Sequence, residues 1–167
     1  MTNITILQLV RWLFIVLFQV LILNQIELNR FISPYIYPLF ILLLPFETPV
    51  WAVLLMSFGT GLFVDTFGNS LGLHTAATVL MGYVRGNLIS FKRIGTDTDE
   101  GKNTLSALNM RQFFVYSATC ILVHHFVFFL LEMFSLSHIG YVLLKTVGSA
   151  VVSIALIMLS RYLFTRN

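Results

Sequence analysis

Two stretches decide the fold: Ile121-Leu122-Val123-His124-His125-Phe126-Val127-Phe128-Phe129-Leu130-Leu131 and Val151-Val152-Ser153-Ile154-Ala155-Leu156-Ile157-Met158-Leu159. Both are apolar almost throughout and lack any alternation of period two. A lipid-facing barrel strand would alternate apolar and polar residues over about ten positions. A membrane-spanning helix instead needs about 20 mostly apolar residues in succession, and these runs read as parts of such helices.

The rest of the chain carries the same signal. Of 167 residues, 57% are hydrophobic and 10% charged, and mean hydropathy is +0.88. Soluble domains run at about 45–50% and about 25%. A water-soluble domain of this length could not bury so much apolar surface and keep a polar exterior, which excludes a soluble enzyme, a nucleic-acid reader and a disordered tail. Six helices would use about 120 residues, leaving short loops and no room for an extramembrane catalytic domain. The expected fold is an all-α integral membrane protein, a six-helix transmembrane bundle forming a single domain over residues 1–167. Its helices are expected at about 4–26, 31–46, 49–67, 70–90, 111–134 and 139–163, with a polar loop at about 91–110. The lone cysteine, Cys120, permits no intramolecular disulfide.

Local signals set these boundaries. The first apolar run holds Arg11 well inside it and lacks a small-residue cleavage site, so it reads as a retained helix with Arg11 snorkelling to an interface. Ser33-Pro34 suits a helix start, with a capping hydroxyl and a proline at the first position. Helix two is the anomalous element. Only 16 uncharged residues separate Arg30 from Glu47, about 24 Å of helix, and Pro38 lies inside; a kinked or partly interfacial helix would fit. Thr48-Pro49 repeats the cap-and-proline start, Gly68-Asn69-Ser70 supplies turn chemistry for a hairpin, and Asn109 with Gln112 has capping-box spacing. With six spans, one side collects Arg11, Arg85, Lys92, Arg93, Lys102, Arg111, Arg161 and Arg166, against Arg30 and Lys145 opposite. That asymmetry places both termini and the 91–110 loop in the cytoplasm.

Candidate chemistry concentrates between Phe58 and His74. On a helix, Ser57, Gly61 and Asp65 share one face, as do His74, Thr78, Gly82 and Gly86 beyond the turn. Small residues there let a second backbone approach closely. Asp65 reads either as a ligand, partner or proton site, or as a cap for the amides opening the next helix. His124-His125 invites a metal reading, but adjacent helical residues diverge by about 100°, and hydrogen bonding within the bundle is the simpler account. Asp97-Thr98-Asp99-Glu100-Gly101 resembles a fragment of a calcium loop, but its glycine falls one position early and the closing glutamate is missing. No serine elbow, phosphate-cradling loop or HExxH appears, and the residues imply no catalytic group, metal or cofactor.

Pro45 followed by G-x-G-x-x-x-D-x-x-G-x-x-x-G-x-H from Gly59 to His74 resembles the bacterial rod shape-determining protein MreD family. Chain length, span count and the absence of an extramembrane domain are similar too. The resemblance implies a non-enzymatic scaffold of the cell-elongation machinery in the inner membrane. It implies binding to the single-span protein MreC, in a wider complex with MreB, RodA and a class B penicillin-binding protein that organises side-wall peptidoglycan synthesis. It also implies a fold similar to the substrate-binding subunits of energy-coupling-factor vitamin transporters. Pro45, Ser57, Gly59, Gly61, Asp65, Gly68, Gly72 and His74 would form the structural or partner-binding hairpin. A docked partner helix on the small-residue face would make Gly61→Leu weaken association without preventing insertion. The alternative is a vitamin-type transport subunit; such subunits use A-x-x-x-A motifs on helix one, and here the first helix has no alanine.

Overall fold

In a computed structural model, residues 2–25, 32–94 and 108–165 are described. They form six α-helices and no β-strand: α1 (Thr2–Leu21), α2 (Pro38–Leu42), α3 (Val50–Gly68), α4 (Leu73–Ile94), α5 (Met110–Met133) and α6 (Ile139–Thr165). Short 3-10 turns lie at Leu23–Gln25 and Leu136–His138. Among the described residues four segments are long and apolar enough to cross a membrane: Ile6–Gln25, Val50–Gly68, Met110–Met133 and Ile139–Leu163. α4 has the length but is more polar, and it turns His74, Thr78 and Arg85 into the protein. Most of the polar stretch at 91–110, with its calcium-loop fragment, lies outside the described residues.

Helix two corrects the sequence expectation. In place of a span over 31–46 there is one five-residue helix, Pro38–Leu42, preceded by extended backbone and followed by turns. Proline explains both limits. Pro38 lacks an N–H and its ring would clash with the carbonyl four residues earlier, so helix cannot continue back through Pro34. Pro45 biases the residue before it away from helical geometry. Pro38 thus takes the first helical position expected for Pro34, and Ser33 uses its backbone N–H to reach Ser149 Oγ on α6 at 3.0 Å.

This broken segment runs through the middle of the bundle from one end to the other. Tyr35 packs against His125 and Phe128 near the end of α5, Tyr37 against His74 at the start of α4, and Phe46 against Tyr116 near the start of α5. Backbone that is not helical is tolerated at membrane depth only when protein groups satisfy it. Here side chains do so. Tyr35 N–H donates to Ser153 Oγ at 2.9 Å. Gln19 Oε1 accepts from Ile36 N–H at 2.7 Å, and Gln19 Nε2 donates to the Pro34 carbonyl at 3.2 Å. Farther along, Tyr116 donates to the Leu42 carbonyl at 3.1 Å and Arg85 to those of Leu44 and Pro45. Residues 34–42 and 44 are buried throughout.

Helices α3 and α4 form a hairpin closed along its length. A Cβ on Gly61 would lie 2.5 Å from Thr75 Cα, and one on Gly82 would lie 2.5 Å from Ser57 Oγ. The turn between them uses left-handed backbone at Asn69, Leu71 and Gly72, with φ of 53°, 49° and 89°. Trp12 ties α1 to α3 by donating to Thr60 Oγ1 at 2.9 Å. Lys145 of α6 meets Glu132 of α5 at 2.6 Å and sits over the Phe129 ring. At the opposite end Arg161 donates to the Leu108 carbonyl and covers the Phe113 ring. Asn109 and Gln112 exchange the reciprocal bonds of a capping box at the start of α5.

Candidate functional site

The Asp65 elbow is the first polar constellation. Asp65 sits in the last turn of α3 and faces the opening of α4, whose first amides have no intrahelical partners. Its carboxylate accepts from His74 N–H at 3.0 Å, Thr75 N–H at 2.9 Å, Thr75 Oγ1 at 2.6 Å and Ser70 Oγ at 2.6 Å. A negative charge at a helix N-terminus is also favoured by the helix dipole. Asp65 therefore caps the following helix from the preceding one, which fixes the hairpin angle.

The motif residues divide into four groups. Ser57, Gly61, Asp65 and His74 are buried at the α3–α4 contact. Gly68 and Gly72 shape the turn, Gly72 through its positive φ, in open space where a Cβ would meet no atom within 4 Å. Gly59 points outward, with nothing within 4 Å of where its Cβ would be. Pro45 lies apart, at the far end of α4, where its carbonyl accepts from Arg85 Nη2 at 3.2 Å. The small-residue face read from the sequence is thus covered by α4, not open to a partner. That corrects the expectation for Gly61→Leu: the added side chain would collide with backbone inside the hairpin.

A second constellation, centred on Tyr37, is not visible in the sequence. Its hydroxyl lies 2.5 Å from His124 Nε2, 3.0 Å from His74 Nδ1 and 3.1 Å from Thr78 Oγ1. Thr78 gives its own proton to the His74 carbonyl at 2.6 Å. A tyrosine has one proton to donate. All four contacts are satisfied when Tyr37 donates to Thr78 and both imidazoles donate to Tyr37, His74 from Nδ1 and His124 from Nε2. His124 Nδ1 is then a buried lone pair, and it has no partner among the described residues. His125 belongs to another chain of bonds: Tyr35 N–H donates to Ser153 Oγ, Ser153 donates to His125 Nε2 at 3.2 Å, and His125 Nδ1–H donates to the Ile121 carbonyl at 2.9 Å. The adjacent histidines therefore serve different partners. Among the described residues no group of three or more His, Cys, Asp or Glu side chains could hold a metal ion.

The Tyr37 constellation is buried and, except at His124 Nδ1, satisfied; with the Ser153–His125 chain it locks the broken segment to α4, α5 and α6. The signal pointing to Tyr37 is a general one: a tyrosine between two prolines in a buried run needs a partner for its hydroxyl. Gln19 stands out as a polar residue in an apolar helix, but its partner does not. On the outer face of the hairpin lies an open apolar groove of about 710 Å³, lined by Leu54, Phe58, Leu62, Thr75, Ala76 and Val79 among others. Compared with protein-family models, with characterised proteins and with solved structures, the chain gives no significant match.

Proposed function

We propose that this chain is a non-enzymatic membrane scaffold of the MreD type. On this reading it binds MreC in the inner membrane and, with MreB, RodA and a class B penicillin-binding protein, helps organise side-wall peptidoglycan synthesis. The polar α4–α5 connection and both termini face the cytoplasm, and six crossings include the broken one at 32–46. The sequence motif from Gly59 to His74 supports the family assignment, and the groove outside the hairpin supports the mode of action. A single apolar helix from a partner would lie against α3 and α4 there, gaining van der Waals contact where lipid packs less closely. In support of the orientation, Arg85, Arg111 and Arg161 share one end of the bundle, as the positive-inside rule requires.

The groove is the observation that carries the partner. Ala76 lines it and is exposed, so Ala76→Trp fills the groove without entering the core. Co-purification of MreC with this variant from membranes is expected to fall at least about tenfold, the equivalent of roughly 1.4 kcal/mol, at unchanged expression. Wild-type recovery of MreC, or binding of a vitamin-like molecule by the isolated chain, would count against the scaffold.

A further inference from the structure

Arg85 and the pocket beside it point to a ligand site that does not depend on the family resemblance. Arg85 is 1% exposed. Its Nη2 donates to the Leu44 and Pro45 carbonyls at 2.5 and 3.2 Å, while its buried Nε has no acceptor. Among the described residues the one ion pair is Lys145–Glu132, so no described carboxylate compensates the guanidinium at contact distance. A charge taken from water without a counter-charge is costly. The guanidinium also lies over the Phe46 ring, 5.9 Å from its centroid, which offsets part of that cost but does not neutralise the charge.

The pocket supplies the rest. It has a volume of about 220 Å³, is half enclosed, and is lined by Arg85, Glu47, Thr48, Pro49, Val50 and Gly86 among others. It contains the start of α3, where Pro49 is the N-cap and no side chain caps the helix. An uncapped helix N-terminus attracts an anion through its free amides and dipole. Two independent features, a buried cation and an open helix start, therefore face one small cavity. Glu47 adds a third: it lines the same pocket from an exposed position, and its negative charge would repel a plain anion.

We propose that this pocket binds a phosphodiester carrying an ammonium group, the chemistry of an ethanolamine phosphate. The phosphate sits against Arg85 and the first turn of α3, and the ammonium turns toward Glu47. At about 30 Å³ per water the cavity holds roughly seven waters, room for a head group but not for acyl chains. Val50 and Trp51 beside the mouth are 51% and 70% exposed, an apolar surface along which chains could run. The same chemistry occurs in a membrane lipid and in soluble glycerophosphoethanolamine.

The test uses the full chain in dodecyl maltoside, with the unfolding temperature followed as four compounds are added separately. Dioleoylphosphatidylethanolamine is expected to raise it saturably and dioleoylglycerol to leave it unchanged. Dioleoylphosphatidylglycerol should act with an affinity about fivefold lower, the worth of one partly exposed ion pair. Equal protection by glycerophosphoethanolamine assigns the soluble source; protection by the phospholipid alone assigns the membrane. Arg85→Gln keeps a donor for the Leu44 carbonyl and should abolish the response. Because that variant could fail to fold, Glu47→Gln provides a surface change that should erase the preference for ethanolamine over glycerol head groups. Equal effects of dioleoylglycerol and dioleoylphosphatidylethanolamine, no response to any compound, or an undiminished preference in Glu47→Gln would overturn the proposal.

Discussion

Replacing Gln19 by Leu removes the side chain that holds the broken segment, at nearly constant volume. Gln19 is fully buried. Its Oε1 accepts from Ile36 N–H at 2.7 Å, with a longer contact to Tyr37 N–H at 3.4 Å, and its Nε2 donates to the Pro34 carbonyl at 3.2 Å. The variant leaves one amide and one carbonyl without partners in a dry interior. At about 1–3 kcal/mol per unsatisfied group, the loss is about 2–6 kcal/mol. Side-chain bonds between membrane helices average only about 0.6 kcal/mol, because the groups find other partners. Extended backbone at 34–36 has no such alternative without refolding, so the larger figure applies. Against total stabilities of about 5–15 kcal/mol it is a severe change. Unfolding in dodecyl maltoside with increasing dodecyl sulfate, followed by fluorescence of Trp12 and Trp51, reads it directly. Thr119→Val is the control: Thr119 bonds only within its own helix, to the Val115 carbonyl, and should shift stability by less than about 0.5 kcal/mol. A Gln19→Leu protein as stable as that control would refute the claim that side chains hold this segment.

Other outcomes follow from the hairpin and the topology. Gly61→Ala puts a Cβ 2.5 Å from Thr75 Cα and should destabilise by about 1–3 kcal/mol through overpacking; Gly59→Ala, with open space around it, should be neutral in the same unfolding assay. Asp65→Asn exchanges one acceptor oxygen for a donor facing Thr75 and weakens bonds to a charged acceptor, worth about 1.5–3 kcal/mol each against about 0.5–1.5 for neutral ones. It should therefore unfold more easily than the wild type, and Asp65→Ala more easily still. Cysteines placed singly at Glu47 and Met110 should react with an impermeant maleimide from one side of the membrane, and those at Asn69 and Ser135 from the other. A cysteine at Gln25, exposed beyond the end of α1, should react from the same side as Asn69, and labelling of positions 25 and 47 from the same side would contradict a bundle crossed by residues 32–46.

The apolar helices are legible in the sequence because their signal is local and additive: α5 and α6 declare themselves by length and hydropathy, and α5 also by its Asn109–Gln112 cap. The hairpin turn is legible for the same reason, since Gly68-Asn69-Ser70 and Gly72 are turn residues in any context. Helix two is misread when apolar content is allowed to outweigh three prolines within twelve positions, at 34, 38 and 45. What replaces its helical bonds lies on other elements: Gln19 on α1, Arg85 on α4, Tyr116 on α5, Ser153 on α6. Each looks ordinary in its own helix, and only the fold pairs it with backbone distant in the chain. The role of Gly61 is hidden in a similar way. A small-residue face announces close packing but not which helix arrives, and here the neighbour is the next helix in the chain.

The broken segment also bears on how the protein is made. A nascent helix closes its own backbone bonds and can leave the translocon for lipid alone. Residues 32–37 cannot, because the amides of Ser33 and Tyr35 await oxygens carried by the last helix, more than a hundred residues downstream. Emergence from the ribosome and final placement are therefore separated in time: the second segment must linger in a hydrated or chaperoned position until Ser149 and Ser153 have been synthesised. A chain stopped short of α6 would lack the last helix and, with it, the acceptors that hold Ser33 and Tyr35 in place.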